Sequence, residues 1–135
     1  FIFNKLLKKF PNSKYSVDDC LIILREYKSI KPIQTYPWFK DFASLFINDF
    51  NLKIITNGNP SQQMNKINSI EFPKGILLNE IIYANRFKPK PDPDSFYHLK
   101  NWKYLKSPIY IGDSLTDKIY CENLQIEFFD IKNYL

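Results

Sequence analysis

Three stretches of the sequence end apolar runs on residues that could handle an anion or a metal. The first is "LKIITNG", residues 52–58, which stops on a hydroxyl, an amide and a glycine. Thr56 can donate through its hydroxyl, and Asn57 through its backbone N–H or its amide. Gly58 lets the chain turn closely around a ligand. Ser61 and Gln62 then open a helix-like segment whose first amides favour negative charge. The second is "KPKPDPDSF", residues 88–96, where prolines hold a lysine in a stiff extended loop. A cation fixed in this way could neutralise a phosphoryl group during transfer. The third is "IYIGDSLTD", residues 109–117, where an apolar run ends in Gly112-Asp113-Ser114 and Asp117 follows in the first turn of a helix. Two carboxylates so placed can face one crevice, and hard oxygen ligands of this kind suit Mg2+. Taken singly, each stretch also fits a plainer reading: an Asn-Gly turn, a solvated loop, a helix-capping aspartate.

The elements around these stretches follow a pattern. From Leu52 onward, short apolar runs alternate with helix-like segments. Strands are expected in "LKIIT", "EIIYA", "PIYIG" and "IEFFDI", and helices in "SQQMNKINSI", "DPDSFYHLKNWKYL" and "TDKIYCENL". Ser61 is a plausible cap of the first of these helices. Such alternation predicts an α/β fold with a parallel sheet and helical crossovers. Ligands of such sheets gather at the carboxyl ends of the strands, where the three stretches lie. The first third reads as helical. Phe3, Leu6, Leu7 and Phe10 share a face, Ser16 and Asp19 form a capping-box pattern, and Val17, Cys20, Leu21 and Leu24 line a second helix. "SIKPIQTYP" reads as a linker. Pro37 opens a third helix, in which Phe39, Phe42, Ala43 and Phe46 share a face.

Composition narrows the function classes. The chain has 135 residues, 44% of them hydrophobic, enough for one modest domain with a core. No apolar run approaches the ~20 residues that cross a bilayer, and no signal-peptide pattern opens the chain. Cys20 and Cys121 lack CxxC spacing and read as buried thiols of a reducing cytoplasm. The net charge of +5 comes from scattered lysines, which argues against a nucleic-acid partner. The single histidine, His98, sits among Phe96, Tyr97 and Leu99 and reads as packed or solvent-facing.

The order Thr, Lys, Asp along the chain argues against a response-regulator receiver, in which the acidic residues come first and the lysine last. It resembles instead the haloacid dehalogenase-like hydrolases. "LKIITNG" looks like their second motif. "KPKPDPDSF" looks like the KPxPxxF form of the third, which makes Lys90 rather than Lys88 the functional lysine. "YIGDSLTD" looks like the fourth, GDxxxD. The resemblance covers roughly residues 36–131. It implies a three-layer Rossmann-like parallel sheet, with residues 1–34 as part of a helical cap and 35–135 as the α/β core. It also implies a cytoplasmic, Mg2+-dependent phosphatase that acts on a small phosphorylated metabolite through an aspartyl-phosphate. Thr56, Asn57 and Gly58 would then form the phosphate-binding turn. Lys90 would balance charge, Asp113 would bind Mg2+, and Asp117 would support the metal's waters or orient Lys90.

One motif of that family is missing. The DxDxT that ends its first strand and supplies the nucleophile does not occur in these residues. Asp18-Asp19, the acidic pair upstream, follows no strand and reads as helix N-terminal charge. In the family that strand lies at the centre of the sheet, between the second-motif and fourth-motif strands, and its loss would leave two sheet edges facing a gap. The opening residue, Phe1 rather than Met, together with this gap, leads to the expectation that an N-terminal segment of a parent protein is absent and that the fragment alone is inactive. Two alternatives remain open: an inactive phosphate-binding or regulatory module, and mutase or dehalogenase chemistry on the same fold. The dehalogenases need no metal, so the Asp113–Asp117 pair disfavours that last option.

Overall fold

The computed structural model describes residues 2–28, 31–46 and 51–134. Its regular elements are helices α1 (Ile2–Lys9), α2 (Val17–Glu26), α3 (Pro37–Phe46), α4 (Pro60–Asn68) and α5 (Leu115–Leu124), with strands β1 (Ile33–Gln34), β2 (Leu52–Thr56), β3 (Ile70–Glu71), β4 (Leu78–Tyr83), β5 (Ile109–Gly112) and β6 (Glu127–Asp130). The order is that of a mixed α/β chain. Helix α4 carries the chain from β2 back to a parallel β4, and α5 does the same between β5 and β6. Such crossovers are what parallel pairing requires.

The strands form three separate two-stranded parallel sheets, β1 with β3, β2 with β4, and β5 with β6. Ile54 and Ile55 stand opposite Ile81 and Ile82, while Ile111 stands opposite Phe129. Among the described residues no ladder joins β2 to β5. A side chain links them instead: the Tyr110 hydroxyl donates to the Ile55 carbonyl oxygen at 3.2 Å. Ile82, Phe96, Leu99 and Tyr120 form the buried core, with Ile55, Trp102, Leu105, Tyr110, Leu124 and Ile126 packed against it. The core therefore draws on β2, β4, β5 and α5 together and holds the two larger sheets to one body.

The N-terminal helices are held more lightly. Ser16 caps α2 in a full capping box, its side chain accepting from the Asp19 N–H while the Asp19 carboxylate accepts from the Ser16 N–H at 2.8 Å. Neither α1 nor α2 has a fully buried residue, and Leu24 is exposed rather than packed. Helix α1 rests on α2, and α2 rests on α4, where the Asn65 amide donates to the Arg25 carbonyl at 3.0 Å.

Several local expectations need correction. "DPDSFYHLKNWKYL" is not one α-helix but two 3-10 segments, Pro93–His98 and Trp102–Tyr104. The Lys100 N–H is drawn to the Glu80 carboxylate at 3.0 Å instead of continuing a helix, and Asn101 takes a left-handed conformation with φ 58. Helix α4 is capped by Asn59, whose side chain accepts from the Gln62 N–H, with Pro60 at the first helical position; Ser61 is not the cap. The stretch read as a linker contains β1, which pairs with β3. The expected single sheet is divided as described above. Phe1 and the Phe46 side chain lie outside the described residues.

Candidate active site

Strand β2 delivers Thr56 and Asn57 at its carboxyl end, because the apolar run that pairs with β4 stops there. The Thr56 hydroxyl reaches the Asn57 carbonyl at 3.2 Å and the Gln63 amide oxygen at 3.3 Å. Both are at the long end of the range, so the hydroxyl is loosely engaged. Asn57 clamps the lysine loop: its amide donates to the Lys90 carbonyl and its side-chain oxygen accepts from the Lys90 N–H, each at 2.9 Å. Gly58 has φ +106, a conformation that favours glycine. Its N–H is taken by the Asn85 side chain at 2.7 Å. Of this turn, the Thr56 hydroxyl is the loosely held polar group.

The two lysines of the proline-rich loop are sharply distinguished. The Lys88 side chain is 69% exposed and lies 3.8 Å from Asp92, a loose surface pair. The Lys90 side chain is 8% exposed, and its ammonium donates to Asp117 Oδ1 at 2.5 Å and to the Tyr110 hydroxyl at 2.6 Å. Asp117 sits in the first turn of α5, where Ser114 caps the helix and donates from Oγ to Asp117 Oδ2 at 2.6 Å. Burial pushes the Asp117 carboxyl upward, but hydrogen bonds from Lys90, Ser114 and Tyr110 outweigh it, and the group stays below the usual carboxylate range. Burial, with Asp117 alongside, pushes the Tyr110 phenol up, so it remains a neutral donor and acceptor. Burial also pushes the Cys121 thiol up to about 11, which removes it as a nucleophile near neutral pH.

Gly112 is needed for this packing. A Cβ there would stand 2.8 Å from Asp117 Cβ and 2.9 Å from its carboxylate. Because Asp117 is held by several partners, it cannot yield easily. Gly112→Ala is expected to cost about 1–3 kcal/mol, the usual scale of overpacking, read as a lower denaturation midpoint in urea.

Thr56, Asn57, Lys90 and Asp117 thus form one connected group at the carboxyl ends of β2 and β5. Asp113 lies at the same end of β5 but is exposed, and among the described residues it makes no hydrogen bond or ion pair. The fit to Mg2+ is therefore incomplete. Both oxygens of Asp117 are engaged, Asp113 is the free carboxylate, and among the described residues no three His, Cys, Asp or Glu side chains converge to hold a metal. Asp117 is engaged with Lys90 and Ser114, which leaves Asp113 as the carboxylate of the pair open to a cation. His98 is stacked on Phe87 at 3.6 Å between centroids and stands 3.6 Å from the Asp94 carboxylate.

Sequence reasoning missed three residues of the group. Tyr110 was read only as part of an apolar strand, yet strict alternation puts it on the face of Gly112. Ser114 repeats at Asp117 the Ser-x-x-Asp pattern that was recognised at Ser16 and Asp19. Asn85 lies inside a 3-10 turn, Ala84–Arg86, that no pattern announced. No family model, curated protein or solved structure matches this chain. Among the described residues no helix is long and apolar enough to cross a membrane.

Proposed function

We propose that this group is the phosphate-handling face of a haloacid dehalogenase-like phosphohydrolase, built on a Rossmann-like three-layer core and acting on a small phosphorylated metabolite. The observation that carries the reading is the meeting of three separate motifs at Lys90, clamped by Asn57 from β2 and seated on Asp117 from the end of β5. The divided sheet supports it too. A tyrosine side chain plus one hydrogen bond reaches at most roughly 10 Å, about two inter-strand spacings. The two ladders meet through this side chain and not through backbone pairing, and in the family the strand between them carries the nucleophile.

In this reading a carboxylate on that strand attacks phosphorus and the substrate oxygen departs, taking a proton from a general acid. Water then cleaves the acyl phosphate to free phosphate and carboxylate. The Thr56 hydroxyl and the Asn57 N–H hold phosphoryl oxygens, and Lys90 offsets the charge that collects between carboxylate and phosphate. Asp117 keeps Lys90 aimed and charged. Asp113 offers one ligand for the Mg2+ that the resemblance implies, and the remaining oxygens would have to come from outside the described residues. The test is turnover of an aryl phosphate by the chain with and without a strand bearing DxDxT.

A second reading has its own support. Within the 135 residues no DxDxT motif occurs, while polar groups suited to an anion are present. A phosphate-binding module without turnover would have this composition, and the same experiment separates the two.

A further inference from the structure

We infer that Tyr110 is the positioning residue for Lys90, its hydroxyl tying the lysine to the strand end that carries Thr56. The phosphate arm of this inference rests on the function proposed above; the geometric arm does not. One phenol oxygen touches three elements of the site. It accepts from the Lys90 ammonium at 2.6 Å and stands 3.2 Å both from Asp117 Oδ1 and from the Ile55 carbonyl, which adjoins Thr56. It carries one proton and so donates to one of the last two at a time. The ring is fixed as well, packed edge-on against Tyr120 at 5.7 Å between centroids.

The consequence for Lys90 follows from counting donors. An ammonium has three N–H groups. One goes to Asp117 and one to Tyr110, so a single N–H is uncommitted among the described residues, and its direction is set by the other two. A lysine held by Asp117 alone could rotate about that one contact. The chemical nature of the second anchor also counts. A second carboxylate would make the cluster net negative and repel an anion, whereas a neutral phenol holds the lysine without adding charge. Tyr110 therefore aims the lysine while leaving its partner count electrostatically balanced at one cation and one anion.

The experiment is trace acetylation of the folded chain, with Lys90 read against Lys88 in the same peptide by mass spectrometry. Lys88 is exposed and Lys90 is not, so the wild-type ratio favours Lys88. In Tyr110→Phe the Lys90:Lys88 ratio should rise about tenfold or more, the factor one hydrogen bond to a charged group is worth. Tyr120→Phe removes another buried hydroxyl of the same core, one bonded to Ser95 at 2.9 Å, and should leave the ratio unchanged. Inorganic phosphate, titrated by calorimetry, should bind Tyr110→Phe about fivefold more weakly than wild type. An unchanged labelling ratio in Tyr110→Phe, or an equal rise in Tyr120→Phe, overturns the inference. A labelling rise in a chain whose wild type binds no phosphate upholds the positioning role and defeats the phosphate reading instead. Should Tyr110→Phe fail to fold, Lys90→Met reads the contact from the other side. Tyr110 should then react severalfold faster with N-acetylimidazole, and no change would overturn the inference.

Discussion

Replacing Asp117 by alanine is expected to cost about 3–5 kcal/mol, the scale for removing one partner of a buried ion pair. The Lys90 and Asp117 side chains are only 8% and 10% exposed, so the pair is largely out of water. Without Asp117 the ammonium keeps Tyr110 but has no counter-charge, and Ser114 loses its carboxylate partner. A domain of this size has a total stability of about 5–15 kcal/mol, so the variant should melt roughly 10 °C lower or more. Asp113→Ala, at an exposed position, should stay within about 0.5 kcal/mol of wild type. The double variant Lys90→Met/Asp117→Leu should recover most of the loss, because a buried pair exchanged for apolar side chains is often nearly neutral. The pH dependence has a fixed sign. The folded carboxyl of Asp117 titrates below its unfolded value of about 3.9. Its contribution is therefore present above that value and is lost as the pH falls through the folded pKa. The gap between wild type and Asp117→Ala should be full at pH 6 and narrow below pH ~4. Glu80, also depressed because hydrogen bonds from Lys53 and the Lys100 N–H outweigh its burial, acts in both proteins and cancels in the difference. Urea denaturation across that range is the measurement. If Asp113→Ala is the costlier variant, the assignment of Asp117 as the partner of Lys90 is wrong.

What could be read in advance, and what could not, follows from the range of the forces involved. The strands at 52–56 and 109–112 and the helix after Asp113 were legible because apolar runs and capping patterns are local. The preference for Lys90 over Lys88 came from the motif resemblance; in the fold the Lys90 side chain is enclosed and the Lys88 side chain lies in solvent. The 3-10 segments at 93–104 were not legible. Their geometry depends on Glu80, twenty residues upstream, capturing the Lys100 N–H, and no window of sequence contains both. The role of Asp117 was half legible. Spacing put it at the start of α5, but whether its oxygens meet a metal or a lysine is decided by how the loop at 88–91 folds back. That is set by the two bonds from Asn57. Asn57 itself was expected to serve phosphate through either amide. Its side chain instead secures the lysine loop.

The largest expected effect is on turnover. On the reading proposed above, the 135 residues alone should not hydrolyse p-nitrophenyl phosphate, since the DxDxT that supplies the family's attacking carboxylate does not occur in them. The same chain joined to a strand segment that ends in DxDxT should hydrolyse it, and chelation of Mg2+ should abolish the activity. In that active form Lys90→Ala should lower kcat by about two orders of magnitude, the usual scale for one group that stabilises transition-state charge. Lys88→Ala should run close to wild type, because its side chain is exposed and touches only Asp92 among the described residues. The two variants differ by two positions in one loop, so a general loss of structure would not separate them. The kcat effect should also exceed what either variant does to stability, measured in parallel by thermal melting. Robust turnover by the short chain would put the nucleophile among these residues and refute the account of the gap between β2 and β5. Phosphate binding without turnover, even with the added strand, would favour the binding-module reading. A dead Lys88→Ala beside an unaffected Lys90→Ala would mean that the buried lysine serves only the fold.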